Sequence, residues 1–351
     1  MNKFDIDRKD IERIDFAVRQ GLNVAVWEPV SLLAGGLTGA LVIKIRVLKE
    51  MYVVKLEKTD DENFDLARNY QIVERVSLQG ISPKVYFLDA TKGVLLMQNI
   101  QSQPRPAATL NSIEKMASLI RRLHSENTFP GWKSVSNILL HLYQQFPIEY
   151  QQAELVEKCV QQLPQLEKAA FDPMDMRACH CDLNPNNWLF DGENYFLVDW
   201  QAASPQSFYF DLSCCDIFFY FYSEELSAAY LRSYLERDPT EIENAKYFLM
   251  RIFVNIYFGI GFLSIPLRTD SGVSFMSATA ISELPTYGKF MQAIGSGKVN
   301  LSDASVQHQF GLIFLNTAAQ AMSTADYSRA IHLCLKQTVP WEVRAQPSIH
   351  E

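Results

Sequence analysis

Several features that would settle a function at once are missing from this 351-residue chain. No Cys-x-x-Cys occurs among its six cysteines, at 159, 179, 181, 214, 215 and 334. A chain of this length needs no covalent staples, so reduced thiols in a cytoplasmic protein are expected. Cys179-x-Cys181, with His180 between, lacks the second ligand pair that zinc needs and is expected to be buried thiols beside a strand. A basic surplus is missing too. The 32 Lys and Arg against 40 Asp and Glu give a net charge of -8, which leaves no electrostatic footprint for DNA or RNA. An anionic substrate would then need a local cation or a metal. The first ten residues are charged and contain no apolar run, so no signal peptide is expected. The apolar stretch 247–266 is long enough to span a bilayer, but Arg251 and Asn255 interrupt its first half. A buried helix is expected there, and no membrane span. No repeat and no low-complexity tract is present.

What is present is a large apolar fraction and a change of regime partway along the chain. Hydrophobic residues make up 48%, enough for a sizeable core, and the length favours two domains over one. Residues 5–20 have amphipathic helical spacing. Residues 28–33, 40–48, 51–56, 84–88 and 94–97 have strand character, with a helix over 60–79 between the third and fourth. After Gln101-Ser-Gln-Pro-Arg-Pro the pattern turns helical, at 110–126, 134–146 and 150–169. Short strands at 177–180, 188–190 and 195–198 follow, with Asp191-Gly192 as the turn between the last two. From about 211 to 335 the chain is again mainly helical. Two domains are expected, a sheet-rich 1–100 and a helical 101–351.

The residues that carry chemistry are concentrated in the run His180-Cys-Asp182-Leu-Asn-Pro-Asn-Asn187 and in Asp199, twelve residues on. The pattern His-x-Asp-x-x-x-x-Asn followed by an aspartate at the end of an apolar run supplies what phosphoryl transfer from ATP needs. Asp182 can accept a proton from an acceptor hydroxyl. Asn187 and Asp199 can offer oxygens to Mg2+, and the strand–turn–strand between them brings the two together. His180 is expected as structural support, since Asp182 already provides the carboxylate. Asn184 and Asn186 are expected to form the turn.

Two upstream elements suit the same chemistry. Gly35, Gly36, Thr38 and Gly39 lie between two strands, where glycines let backbone N–H groups approach phosphate oxygens. This is neither a Gly-x-x-x-x-Gly-Lys-Ser/Thr loop nor a Gly-x-Gly-x-x-Gly. Lys55 sits inside the apolar strand Met51-Tyr-Val-Val-Lys55-Leu, a place where lysine is uncommon and contact with the α- and β-phosphates would account for it. Lys44 and Arg46 alternate on a solvated face.

Together these elements resemble the aminoglycoside phosphotransferase and choline/ethanolamine kinase superfamily, over most of the chain. Leu33-Ala-Gly-Gly-Leu-Thr is similar to the family's glycine loop, with Gly39 where asparagine is usual. Gly80-Ile-Ser-Pro-Lys-Val-Tyr resembles the segment after the first helix, and Ile120-Arg-Arg-Leu-His124 a helix ending in Leu-His. The resemblance implies an α+β, bilobal protein-kinase-like fold, with a small antiparallel-sheet N-lobe and a larger helical C-lobe. It implies ATP and Mg as cofactors and a small-molecule alcohol as acceptor. It also implies an interlobe hinge at Gln98, Asn99 and Ile100, whose backbone would hold adenine, and Asp211 as a brace for the catalytic-loop backbone.

The chain departs from the family at two positions. A helix glutamate that pairs with the strand lysine is replaced by Asn69, with Glu62, Asp65 and Glu74 nearby, so Lys55 would be less well oriented. Gln201 stands where choline kinases carry glutamate, near the metal or the substrate. Aromatic residues of the helical part, including Tyr257, Phe258 and Phe262, could cage a quaternary ammonium by cation–π attraction, although such spacing also suits a core. The expected activity is transfer of the γ-phosphate to a hydroxyl of an amine-bearing molecule of choline or ethanolamine type. A nucleotide-binding pseudokinase and an aminoglycoside or thiamine kinase are the alternatives.

Overall fold

The computed structural model describes residues 6–33, 40–59, 65–126, 128–131, 134–268 and 278–337. The expected phosphate loop with Gly35, Gly36, Thr38 and Gly39 lies outside the described residues, as does Glu62. The chain forms two compact units, Met1–Pro130 with Asp182–Ala203, and Gly131–Cys181 with Ser204–Glu351.

The first unit is built on helix α1 (Arg8–Leu22), strands β1 (Glu28–Leu33), β2 (Leu41–Val47) and β3 (Glu50–Leu56), helix α2 (Leu66–Leu78), strands β4 (Val85–Asp89) and β5 (Val94–Gln98), and helix α3 (Leu110–His124). The strands form one antiparallel sheet in the order β1-β2-β3-β5-β4. Alternate residues of β2 and of the end of β3 face one core. Ile43, Ile45 and Val47 of β2, Val54 and Leu56 of β3, and Val94 and Leu96 of β5 are buried, and they form one core with Ile14, Ala17 and Val18 of α1. The period-2 geometry of a strand then directs Lys55, between Val54 and Leu56, to the opposite face.

One turn after β3 is clamped from two sides. The Glu57 N–H donates to Gly93 O at 2.8 Å, and the Arg13 guanidinium of α1 donates to both Glu57 O and Gly93 O. Gly93 has φ +59°, and a Cβ there would lie 2.6 Å from Glu57 O, so this close approach requires glycine.

A hairpin far along the sequence also belongs to this unit. Strands β7 (Trp188–Phe190) and β8 (Tyr195–Leu197) pair as Trp188↔Leu197. Long-range bonds explain why 182–203 groups with residues 1–130. Leu197 N–H donates to Ile81 O, Gln103 N–H to Phe190 O, and Lys115 Nζ to Glu193 O.

The second unit contains α4 (Val135–Gln144), α5 (Ile148–Gln151), α6 (Glu154–Ala170), a two-stranded sheet of β6 (Met176–Cys179) and β9 (Ser204–Ser207), and helices α7 (Phe208–Cys215), α8 (Glu224–Leu235), α9 (Glu241–Arg268), α10 (Ala278–Ser282), α11 (Tyr287–Gly295), α12 (Ala304–Met322) and α13 (Ala325–Gln337). The single helix expected over 150–169 is split, because Gln152 and Ala153 separate α5 from α6.

Helix α9 starts with a reciprocal cap. Glu243 accepts from Thr240 N–H at 2.7 Å while the Thr240 hydroxyl accepts from Glu243 N–H at 3.2 Å. By length and composition α9 could cross a membrane, but 67% of its apolar window is buried, and it packs on α6, α7, α12 and α13 as a core helix. Its approach to α12 is close. A Cβ on Gly259 would lie 2.6 Å from Leu315 Cδ2, and one on Gly311 would lie 2.9 Å from Gly259 O.

Gly261, two residues on, has open space around it. Gly259→Ala should therefore lower stability by about 1–3 kcal/mol through overpacking. Gly261→Ala should instead raise it by up to about 1 kcal/mol through helix propensity. Denaturant unfolding of the two variants checks both signs. Glu243 offers a second check, because the Arg237 guanidinium hydrogen-bonded to it holds its carboxyl down to about 2. A depressed folded-state value means stability that is present above the ordinary carboxyl range and lost as pH falls toward 2. Glu243→Gln should flatten the fall in thermal midpoint over that acid window.

Candidate active site

Strand β3 delivers Lys55, and its ammonium is held by two carboxylates. Nζ lies 2.7 Å from Glu57 Oε1 and 3.1 Å from Asp199 Oδ1. Burial alone would favour the neutral amine, but the charges of Asp199 and Glu57 outweigh it and raise the Lys55 pKa above its ordinary value. Glu57 also accepts a hydrogen bond from Gln201 Nε2 at 3.1 Å on the same Oε1. The expectation that Lys55 would be poorly oriented for want of a helix glutamate is thus corrected. Its partner comes from its own strand, one residue past the end of β3.

Asn69 is buried on α2, and its Nδ2 has no partner among the described residues. Asp65 caps α2 by accepting from Arg68 N–H, and Glu74 is exposed. Gln201, expected near the metal or the substrate, turns an amide N–H to Glu57.

Asp182 is held by its own loop. Asn184 Nδ2 donates to Oδ1 at 2.9 Å, and Asn187 Nδ2 donates to Oδ2 at 3.0 Å and to the Asp182 carbonyl at 2.8 Å. Pro185 starts a 3-10 turn over 185–187, and Asn184 Oδ1 accepts from Asn186 N–H, which tightens it. Both oxygens of Asp182 therefore have a fixed direction, and the committed Asn187 nitrogen leaves the amide oxygen as its donor atom for a cation.

The hairpin connects Asn187 to Asp199. Val198 N–H donates to Asn187 O at 3.0 Å, continuing the ladder one step past the Trp188↔Leu197 pair. Asp199 follows with φ +65° and ψ +70°, a left-handed conformation that is costly for a residue other than glycine. The reversal turns its carboxylate onto Lys55. The turn beyond it is pinned by Arg68 of α2, whose guanidinium donates to Ala203 O at 2.6 Å and to Pro130 O at 2.8 Å. The buried Trp200 ring stands edge-on to Phe129. Lys55, Asp182, Asn187, Asp199 and Gln201 thus all belong to the first unit, joined there by Glu57 and Asn184.

The second unit holds His180, Asp211 and the aromatic candidates. The Asp211 carboxylate, fully buried on α7, accepts from His180 N–H through Oδ2 and from Cys181 N–H through Oδ1, each at 2.8 Å. Cys181 sits at φ +64°, so the brace fixes a turn that the side chain disfavours.

Tyr257, Phe258 and Phe262 lie on α9. Phe258 and Phe262 stack on Phe314 of α12, and Tyr257 meets Phe210 edge-on at 5.2 Å. The ring faces of Phe258 and Phe262 are spent on one another's neighbours in the helical core. In the hinge stretch, Gln98 N–H donates to Lys84 O within the sheet, so Gln98 offers no N–H for adenine. Glu57 and Asn184 were not evident as site residues in the sequence. A lysine and a glutamate two apart on one strand share a face, and that spacing is the signal for Glu57.

The chain is similar in fold to solved kinases at low identity. A choline/ethanolamine kinase family protein from Mesorhizobium loti superposes with a TM-score of 0.62 at 18% identity, covering 88% of this chain and 93% of that one. A choline kinase from Cryptosporidium parvum gives 0.63 at 13%, covering 93% and 99%. The choline kinase LicA from Streptococcus pneumoniae, in its complex with AMP, gives 0.57 at 16%, covering 88% and 98%. The shared fold is α+β and kinase-like, as the sequence resemblance implied. No curated protein matches the sequence. The model of the phosphotransferase enzyme family, APH, matches residues 29–244, a span that takes in β2 to β9, all of β1 but its first residue, and Lys55, Glu57, Asp182, Asn184, Asn187, Asp199 and Gln201. The chain therefore belongs to the phosphotransferase enzyme family.

Proposed function

We propose that this phosphotransferase is a kinase that moves the γ-phosphoryl group of ATP to a hydroxyl of a small amine-bearing alcohol of choline or ethanolamine type. The observation that carries the reading is the cluster in which Lys55 is held charged by Glu57 and Asp199 while the Asp182 carboxylate is fixed by Asn184 and Asn187. An ammonium has three donors, and two are occupied here, so one remains for a phosphate oxygen. Asp182 would accept the proton of the attacking hydroxyl as its oxygen bonds to phosphorus and ADP departs.

Asn187 and Asp199 form an oxygen donor set suited to magnesium, which when bound would offset phosphate charge. Asn99 and Ile100 would offer backbone groups to adenine, and Gly35, Gly36, Thr38 and Gly39 are the proposed phosphate-binding residues. The AMP held by the similar LicA structure supports a nucleotide site, and the choline and ethanolamine kinases among the similar folds support the acceptor class. Pairing of Lys55 favours an active enzyme over a pseudokinase. Six buried cysteines kept as thiols fit a cytoplasmic setting, where ATP is available.

Screening ATP consumption with choline, ethanolamine, thiamine, sugars and aminoglycosides should give turnover with a choline- or ethanolamine-like alcohol. ATP binding with turnover on none of them would favour the pseudokinase. Asp182→Ala should lower kcat by roughly a hundredfold to ten-thousandfold, the range of general-base catalysis, with ATP affinity nearly unchanged. Full activity in that variant would remove Asp182 from the mechanism.

A further inference from the structure

We infer that Glu57 is the positioning residue for Lys55, standing in for a carboxylate on α2, and that position 201 carries an amide because position 57 carries a carboxylate. The inference rests on the kinase reading above.

Three observations lead to it. The shorter of the two Lys55 contacts, 2.7 Å, is to Glu57, whose residue is only 5% exposed. Asp199, the other partner, is also the residue proposed for the metal, so Glu57 is the one of the two anions that no metal would claim. The Glu57 backbone is fixed at both ends of its peptide groups, the N–H by Gly93 O and the carbonyl by Arg13, so the carboxylate is delivered from a rigid point. Helix α2 cannot supply a substitute from its described residues. Asn69 is neutral and buried, Asp65 is spent as the cap, and Glu74 faces solvent.

The amide at 201 follows from charge. Gln201 Nε2 lies 3.1 Å from the same Glu57 Oε1 that binds Lys55. A glutamate there would place a third carboxylate at hydrogen-bond distance from a buried one, with a single ammonium to serve them. An amide instead donates, and fixes the rotamer of Glu57. Gln201 therefore orients the lysine's partner, and its identity carries no information about the acceptor.

The test uses the full chain with ATP and magnesium as the probe. Titration calorimetry gives the ATP dissociation constant, and steady-state assays separate KM for ATP from kcat on the acceptor found by screening. Glu57→Gln should weaken ATP binding and raise KM for ATP roughly tenfold to a hundredfold, the range of a hydrogen bond to a charged group. Gln201→Glu should do the same. The exchange of both, Glu57→Gln with Gln201→Glu, should restore affinity to within about threefold of the unaltered chain, a non-additivity that shows direct coupling.

A role confined to stability would lower the unfolding midpoint and leave KM for ATP in place, with additive losses in the double variant. That outcome overturns the inference. If the unaltered chain binds no ATP, the kinase reading falls and this inference falls with it. If it binds ATP and Glu57→Gln changes nothing, this inference alone is overturned.

Discussion

A lysine inside an apolar strand stays charged only if anions stay beside it, and much of the first unit can be understood as the means of keeping them there. Lys55 is mostly buried, and water cannot solvate it fully. Two carboxylates do so instead, and each is brought by a different device. Glu57 comes directly after the same strand and is anchored by Gly93 and Arg13. Asp199 comes from a hairpin over a hundred residues away and is turned inward by a left-handed backbone. The ladder from Asn187 to Val198 sets where that turn falls, and Arg68 holds the far side of it. The strain at Asp199 persists because the surrounding bonds over-determine it.

Much of this was legible in the sequence. The strands of the sheet were visible as short apolar runs bounded by polar or turn residues, and the lysine stood out because it interrupted one of those runs. The loop at 180–187 and the carboxylate at 199 were legible from spacing and residue type. Other parts depend on contacts that local pattern does not encode. The polar strand Ser204–Ser207 has no alternation, and it forms because it pairs with Met176–Cys179. The grouping of 182–203 with residues 1–130 rests on bonds to Ile81, Gln103 and Lys115, each remote in sequence. Glu57 looked like one more charge at a strand end. Its burial and its 2.7 Å contact with Lys55 set it apart from its neighbour Lys58, which is exposed.

The aromatic residues of the second unit show a limit of composition of another kind. A run of rings at helical spacing suits an ammonium cage and a packed core equally well until neighbours are known. Here α9 and α12 approach closely at Gly259 and Gly311, Phe258 and Phe262 stack on Phe314, and Phe262 meets Phe310 at a tilt. The glycines allow the helices to close, and the rings fill what lies alongside. Gly261, in the same stretch of sequence, meets nothing.

Helix α1 has a practical consequence for anyone shortening this protein. The family-matching span begins at residue 29, so a fragment cut to that boundary would omit Arg8–Leu22 altogether. It would lose Ile14, Ala17 and Val18 from the core, and with Arg13 the guanidinium that grips the carbonyl of Glu57. The damage would surface at the ammonium of Lys55, more than forty residues downstream, in a fragment that still contains every residue of the recognisable motifs. Domain limits for expression are therefore better drawn from hydrogen bonds than from the extent of family resemblance.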